Sequence, residues 1–115
     1  MESCFTENHE KIKKKLADSD EFNSGVEEVS KIFSMLGEPN RMKIILALME
    51  GELCVYHICE ITGGKQSAIS QHLRKLKDNH IVKSRKDATQ VLYSISDEHI
   101  YSIVKMALEH VKCSG

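Results

Sequence analysis

Four side chains of the kinds that hold zinc stand near the C-terminal end of the chain: Asp97, His99, His110 and Cys113, one carboxylate, two imidazoles and one thiol. His110 and Cys113 are three residues apart, which puts them on one face of a helix. Asp97 and His99 converge only if Asp97 sits at a helix cap, outside regular helical geometry. His99 and His110 are eleven residues apart, about 16 Å along a straight helix, whereas ligands of one zinc ion lie within about 4 Å of each other. One helix therefore cannot assemble the set. Two copies packed antiparallel about a twofold axis bring Asp97 and His99 of one chain to His110 and Cys113 of the other, giving two sites per dimer. Any one of these residues alone would be ordinary decoration of a helix end; all four at these offsets point to a metal. Four protein ligands close the coordination sphere and leave no position for a reactive water, and no separate catalytic cleft is evident, so an enzyme is not expected.

A second chemistry is electrostatic. The formal net charge of −1 hides a segregation: residues 1–63 carry 7 basic and 12 acidic groups, residues 64–86 carry 7 and 1, and residues 87–115 carry 2 and 4. The central stretch, with Lys65, Arg74, Lys75, Lys77, Lys83, Arg85 and Lys86, is a footprint for phosphate, since a merely solvated face would mix both signs.

The elements that must position these groups are legible in the apolar spacing. The chain has 115 residues, 41% hydrophobic and only 5% aromatic, with one proline, the balance of a single, mainly helical domain. Residues 1–22 have few apolar positions and read as an N-terminal arm or weak helix; residues 23–115 read as the folded domain. Asn23-Ser24-Gly25 offers a stop before a helix with Val26, Val29, Ile32, Phe33 and Leu36 on one face, ended by Gly37. Pro39 suits the first turn of the next helix, whose apolar face runs through Ile44, Ile45, Leu48 and Met49. A short helix over residues 55–61 breaks at Thr62-Gly63-Gly64, and another begins near Gln66 with Ile69, Leu73 and Leu76 inward, making a helix, a tight turn and a helix. Residues 81–85 and 91–95 alternate as strands joined by Lys86 to Gln90, a β-hairpin wing whose turn lacks glycine. Ser96-Asp97 caps a last helix striped by Ile100, Ile103, Val104, Ala107, Leu108 and Val111.

With Ile69, Leu73 and Leu76 turned to the core, Ser67, Ser70, Gln71 and Arg74 face a DNA groove, and Lys83, Arg85 and Lys86 on the hairpin are placed for phosphate or the minor groove. Serine discriminates bases weakly, so no operator sequence follows from these residues. His72, beside Leu73 and Leu76, reads as a partly buried histidine, and Cys59 as a small core residue.

The segments LGEPNRMKIILALMEGELCV and QSAISQHLRKLKDNHIVKSRKDATQVLYSISDEH, in this order, resemble the ArsR/SmtB family of winged helix-turn-helix repressors over about residues 25–113. The resemblance implies a mainly α fold with a small β-hairpin, a homodimer formed through terminal helices, double-stranded operator DNA as partner, and release of that DNA when metal binds. Asp97, His99, His110 and Cys113 match the family's C-terminal-helix metal site, with a thiol where histidine or glutamate is more usual, which raises softer ions such as cadmium or lead beside zinc. Glu52-Leu53-Cys54-Val55 matches the stretch carrying the family's other metal site. There Cys54 and His57, three apart, would join Cys4 and His9 around a soft metal; the alternative is a buried Cys54, an exposed His57 and no site. His80 is implied as a link between the ligand His110 and the end of the reading helix, or is an ordinary turn residue.

Three rival functions stay open. One is a persulfide- or thiol-sensing repressor of the same fold, with Cys54 and Cys113 as the pair; another is a metal-buffering protein; the third is a winged-helix module that binds other proteins. Four cysteines without a secretory signal read as thiols, and a polar N-terminal stretch with no window near about 18 apolar residues predicts no membrane span and a cytoplasmic location.

Overall fold

The computed structural model of the chain describes residues 7–114, which form six α-helices and one small sheet. The chain divides into two compact units between Ser34 and Met35. The first holds α1 (Glu7–Ala17), which buries none of its residues, as its low apolar content predicts. It is followed by a π-helical turn, Glu21–Gly25, that runs directly into α2 (Val26–Leu36). Asn23-Ser24-Gly25 is thus a widened helical turn where a stop was expected. Ser24 Oγ donates to the Asp20 carbonyl and Asn23 Nδ2 to that of Ala17, so their side chains serve the helical backbone here.

The second unit begins with the last residues of α2, Met35 and Leu36, and continues through a turn into α3 (Pro39–Leu48). Glu38 caps this helix by accepting the Arg41 N–H at 2.9 Å, and Pro39 occupies the first turn, where no donor is needed. The Arg41 amide holds the Glu38 carboxyl below its ordinary range. Next come β1 (Leu53–Cys54), α4 (Val55–Thr62), α5 (Gln66–Asp78), β2 (Val82–Asp87), β3 (Gln90–Ile95) and α6 (Glu98–Ser114). The sheet order is β1-β3-β2, antiparallel throughout. The third strand, β1, adds to the expected hairpin; two residues are too few to show an alternation.

Ile44 and Ile45 of α3, Ile58 of α4, Leu73 and Leu76 of α5, and Ile81 and Val82 entering the wing form a fully buried core. Full burial of each such side chain is worth about 1.5–3 kcal/mol, and together they fix α4, α5 and the wing as one body.

Three turns set the angles. Gly63 ends α4 in the left-handed region (φ 76°), its N–H bonded to the Cys59 carbonyl. Gly64 lies so close to α5 that an added Cβ would come 2.7 Å from Ile69 Cδ1 and 2.9 Å from its Cγ1. At the other end of α5, His80 takes the left-handed position (φ 60°) of a Schellman motif. Its N–H bonds the Lys77 carbonyl, the Ile81 N–H bonds that of Leu76, and the flanking Leu76 and Ile81 are both buried. The wing turn is tighter than the expected Lys86–Gln90 connection: Asp87 pairs with Gln90, leaving Ala88 and Thr89 as a two-residue loop with Ala88 at φ 57°.

Two substitutions should move thermal unfolding in opposite directions. Gly64→Ala forces a methyl into the buried Ile69 side chain and is expected to destabilise by about 1–3 kcal/mol. Ala88→Gly relieves a left-handed alanine and is expected to stabilise by up to about 1 kcal/mol. Calorimetry of both variants checks the sign, and a Gly64→Ala protein as stable as the parent would contradict the packing of α4 on α5.

Candidate functional site

The helical period that buries Ile69, Leu73 and Leu76 turns Ser67, Ser70, Gln71 and Arg74 outward, and all four are exposed on α5. His72 is half-buried and lines a cleft of about 130 Å³ with Asn40, Lys43 and Thr62. Between the start of α5 and the wing runs an open groove of about 450 Å³, lined by Tyr56, Gln66, Ser70, Thr89, Gln90 and Val91 among others. Tyr56, Gln66, Thr89 and Gln90 went unassigned in the sequence. Tyr56, 69% exposed on the first turn of α4, carried the clearest signal, an aromatic hydroxyl on the first helix of the helix-turn-helix.

Lys83, Arg85 and Lys86 are exposed on β2, but they are not equivalent. Arg85 grips Glu52 with two charge-assisted bonds, Nε to Oε2 and Nη2 to Oε1, each 2.8 Å. Those bonds hold the Glu52 carboxyl below its ordinary range and raise the guanidinium further. The Glu52 contribution is therefore complete above the ordinary carboxylate pKa and fades as pH falls through the lowered value.

On α6, Asp97 is the cap: its Oδ1 accepts the N–H of His99 at 2.9 Å and of Ile100 at 3.2 Å. The same oxygen lies 3.5 Å from His99 Nδ1, so the first ligand pair is already drawn together. His110 and Cys113 are exposed on the last turns of the same helix. No group of three or more His, Cys, Asp or Glu side chains comes together among the described residues. The set of one oxygen, two nitrogens and one sulfur fits zinc chemically, in two halves on one rod.

Cys54 is buried at the start of α4, His57 is exposed and Cys59 half-buried. His9 is exposed on α1, in the other unit, and Cys4 lies outside the described residues. The His80 carbonyl accepts the Ser96 hydroxyl at 2.6 Å, and Ser96 immediately precedes Asp97, so the end of α5 is joined to the start of α6.

Apolar surface is left exposed on α2 and α6. On α6, Ile100 and Val104 are buried in the core of the second unit, whereas Met106 and Val111 are each 67% exposed and Leu108 is 39% exposed. On α2, Val26, Val29 and Phe33 form a stripe that is half exposed. No helix among the described residues is long and apolar enough to cross a membrane.

Comparison with known proteins gives consistent matches. The sequence model of the family described as "Bacterial regulatory protein, arsR family" matches residues 38–84. A cadmium resistance transcriptional regulatory protein (CadC homolog) from Staphylococcus aureus is 40% identical over 72% of this chain and 69% of its own length. A transcriptional repressor, an SmtB homolog from Synechocystis, is 30% identical over 75% of this chain and 65% of its own, so the chain spans about two thirds of each of these relatives. The solution structure of a homodimeric winged helix-turn-helix DNA-binding domain from Mycobacterium bovis superposes with a TM-score of 0.71 at 27% identity, covering 83% of this chain and 92% of that one.

If α5 reads bases and the wing touches phosphate, single substitutions should separate the two roles. Lys86→Ala is expected to weaken binding to all DNA sequences alike and to flatten the dependence of log K on log salt by about 0.9. Gln71→Ala is expected to weaken operator binding by about 1–3 kcal/mol while sparing unrelated DNA. Anisotropy titrations at several salt concentrations measure both; native affinity and slope in both variants would mean this face does not meet DNA.

Proposed function

Because the chain belongs to the arsR family of bacterial regulatory proteins, we propose that it is a metal-responsive transcriptional repressor. It binds a roughly palindromic operator as a homodimer and lets go when zinc or a related thiophilic ion binds across paired α6 helices. The observation that carries this reading is the arrangement on α6. Exposed Met106 stands between the two exposed ligand pairs, and Leu108 and Val111 add exposed apolar surface to the same helix, so the helix that calls for a second copy is the helix that carries both halves of the metal sites. A cadmium-resistance regulator and a homodimeric winged-helix domain among the similar proteins support the same reading.

Ser67, Ser70, Gln71 and Arg74 meet the major groove in this reading, and Lys83, Arg85 and Lys86 serve the wing. Asp97 and His99 of one protomer join His110 and Cys113 of its partner around each ion. The bound ion supplies charge and a fixed tetrahedral geometry, nothing catalytic. The protein residues do the coupling. Asp97 caps α6, its neighbour Ser96 holds the His80 carbonyl, and His80 closes the end of α5. Drawing Asp97 towards a partner helix therefore pulls on the end of the reading helix. His80 acts through its main chain, and the second oxygen lone pair remains for a donor such as His110 of the partner. Typical coupling of about 1–3 kcal/mol corresponds to operator binding about 5–150-fold weaker with metal. Cys54, with His57, Cys4 and His9, is assigned no metal here, since Cys54 is buried and His57 points to solvent.

Thiol sensing by Cys113 is separated from metal sensing by two variants. Cys113→His is expected to keep metal-driven release while shifting preference from cadmium or lead towards zinc, because imidazole can replace thiolate at zinc. His99→Ala is expected to abolish metal-driven release. Operator binding is followed by fluorescence anisotropy with zinc under reductant, and separately with a persulfide donor without metal. A native protein blind to zinc, with a persulfide response that vanishes in Cys113→His, would overturn the metal reading and leave a thiol-sensing repressor.

A further inference from the structure

The wing has two faces with different work. In an antiparallel ladder, residues paired across strands share a face and successive residues alternate. Lys86 pairs with Val91 and Ser84 with Tyr93, and Val91 and Tyr93 line the groove shared with Gln66 and Ser70 of α5. Lys86 therefore belongs to the face turned towards the reading helix. Arg85 pairs with Leu92, on the reverse face, and Lys83 lies two residues before it on the same side. On that reverse face Arg85 meets Glu52, which sits just before β1, 33 residues away in sequence. Because β3 lies between β1 and β2, the ion pair spans the whole width of the sheet.

We propose that Glu52 and Arg85 form a strut that sets the wing's angle to the helix-turn-helix, making Arg85 a positioning residue of the DNA interface while Lys86 makes the wing's phosphate contact. Two parallel 2.8 Å bonds use the planar fork of the guanidinium, which fixes orientation as well as distance. The wing needs such a brace. Beyond Val82 every residue of β2 except Ser84 is exposed, and the hairpin turn carries an alanine with positive φ. Without the strut, the outer part of β2 beyond the buried Val82 is held by its ladder to β3. The strut rests on the DNA-binding reading for its purpose, but its mechanical part can be measured without DNA.

The signs of the effects distinguish a strut from a phosphate contact. Removing the negative charge of Glu52 would tighten DNA binding by charge alone, and would free Arg85 for phosphate. The strut predicts the opposite: Glu52→Gln weakens operator binding several-fold. Arg85→Ala weakens it to a similar extent and leaves the salt slope within about 0.3 of the parent, whereas one lost phosphate contact lowers the slope by about 0.9. The exchanged pair, Glu52→Arg with Arg85→Glu, restores affinity because the bond is remade in reverse. Amide hydrogen exchange of residues 84–92 without DNA should quicken in Glu52→Gln and return to the parent rate in the exchanged pair, with thermal unfolding confirming that each variant folds. Tighter binding by Glu52→Gln, a slope reduced by about 0.9 in Arg85→Ala, or an exchanged pair as weak as the single variants would each overturn the strut and make Arg85 a DNA contact. Failure of the parent protein to bind DNA would sink the DNA-binding reading instead, and unchanged wing exchange in Glu52→Gln would still overturn the strut by itself.

Discussion

A helix is a rod, and its rise fixes what one chain of this protein can and cannot hold. His99 and His110 share α6 at a separation of eleven residues, about 16 Å of helix, while a zinc ion gathers its ligands within about 4 Å. Under the proposed function, this mismatch is what makes the protein a dimer and a sensor at once. Each protomer offers half of two sites, and only a second copy running the other way supplies the missing halves. The same helix changes character along its length: Ile100 and Val104 anchor its first turns in the core, and Met106, Leu108 and Val111 stand in solvent further on. The anchored part carries Asp97 and His99, and the exposed part carries His110 and Cys113.

The anchored end is where a metal event could be felt by the reading head. Asp97 caps α6, Ser96 bonds to the His80 carbonyl, and His80 terminates α5 in a left-handed conformation that favours glycine. The buried Leu76 and Ile81 clamp that turn on either side. A shift of the α6 cap is thus delivered to a short, stiff junction. On the far side of α5, Gly63 and Gly64 let α4 approach so closely that the groove-facing residues move with the core. Under the proposed function, reading residues on a rigid helix, ligands on a rod and a stiff junction between them are what a two-state switch requires.

Much of this was legible in the sequence because it rests on local periodicity. The spacing of Ile69, Leu73 and Leu76 marked the buried face of α5 and therefore its exposed one; Pro39, Gly63 and Asp97 marked helix ends by chemistry that needs no partner. The placement of Asp97, His99, His110 and Cys113 along one helix was legible because helical rise is universal; that they bind a metal is the proposal. What escaped was of two kinds. Two-residue β1 and the π-helical turn at Glu21–Gly25 are too short, or too close to regular helix, to leave a pattern. The tight turn at Ala88 and the engagement of Arg85 by Glu52 depend on tertiary pairing, across 33 residues in the second case. The basic run at residues 83–86 looked uniform as a string, and only the strand alternation separates Lys86 from Arg85.

The shared metal site can be tested by complementation between two defective chains. One variant, Asp97→Ala with His99→Ala, keeps only the distal pair; the other, His110→Ala with Cys113→Ala, keeps only the proximal pair. Neither homodimer holds a complete site, but their mixed dimer contains one intact set contributed by both chains and one fully empty set. Native mass spectrometry of the mixed dimer under reductant should show one tightly bound zinc, against two for the parent dimer and none for either defective homodimer. A mixed dimer that binds no tight zinc, or a homodimer of either variant that still does, would contradict the assembly of the site across the paired α6 helices.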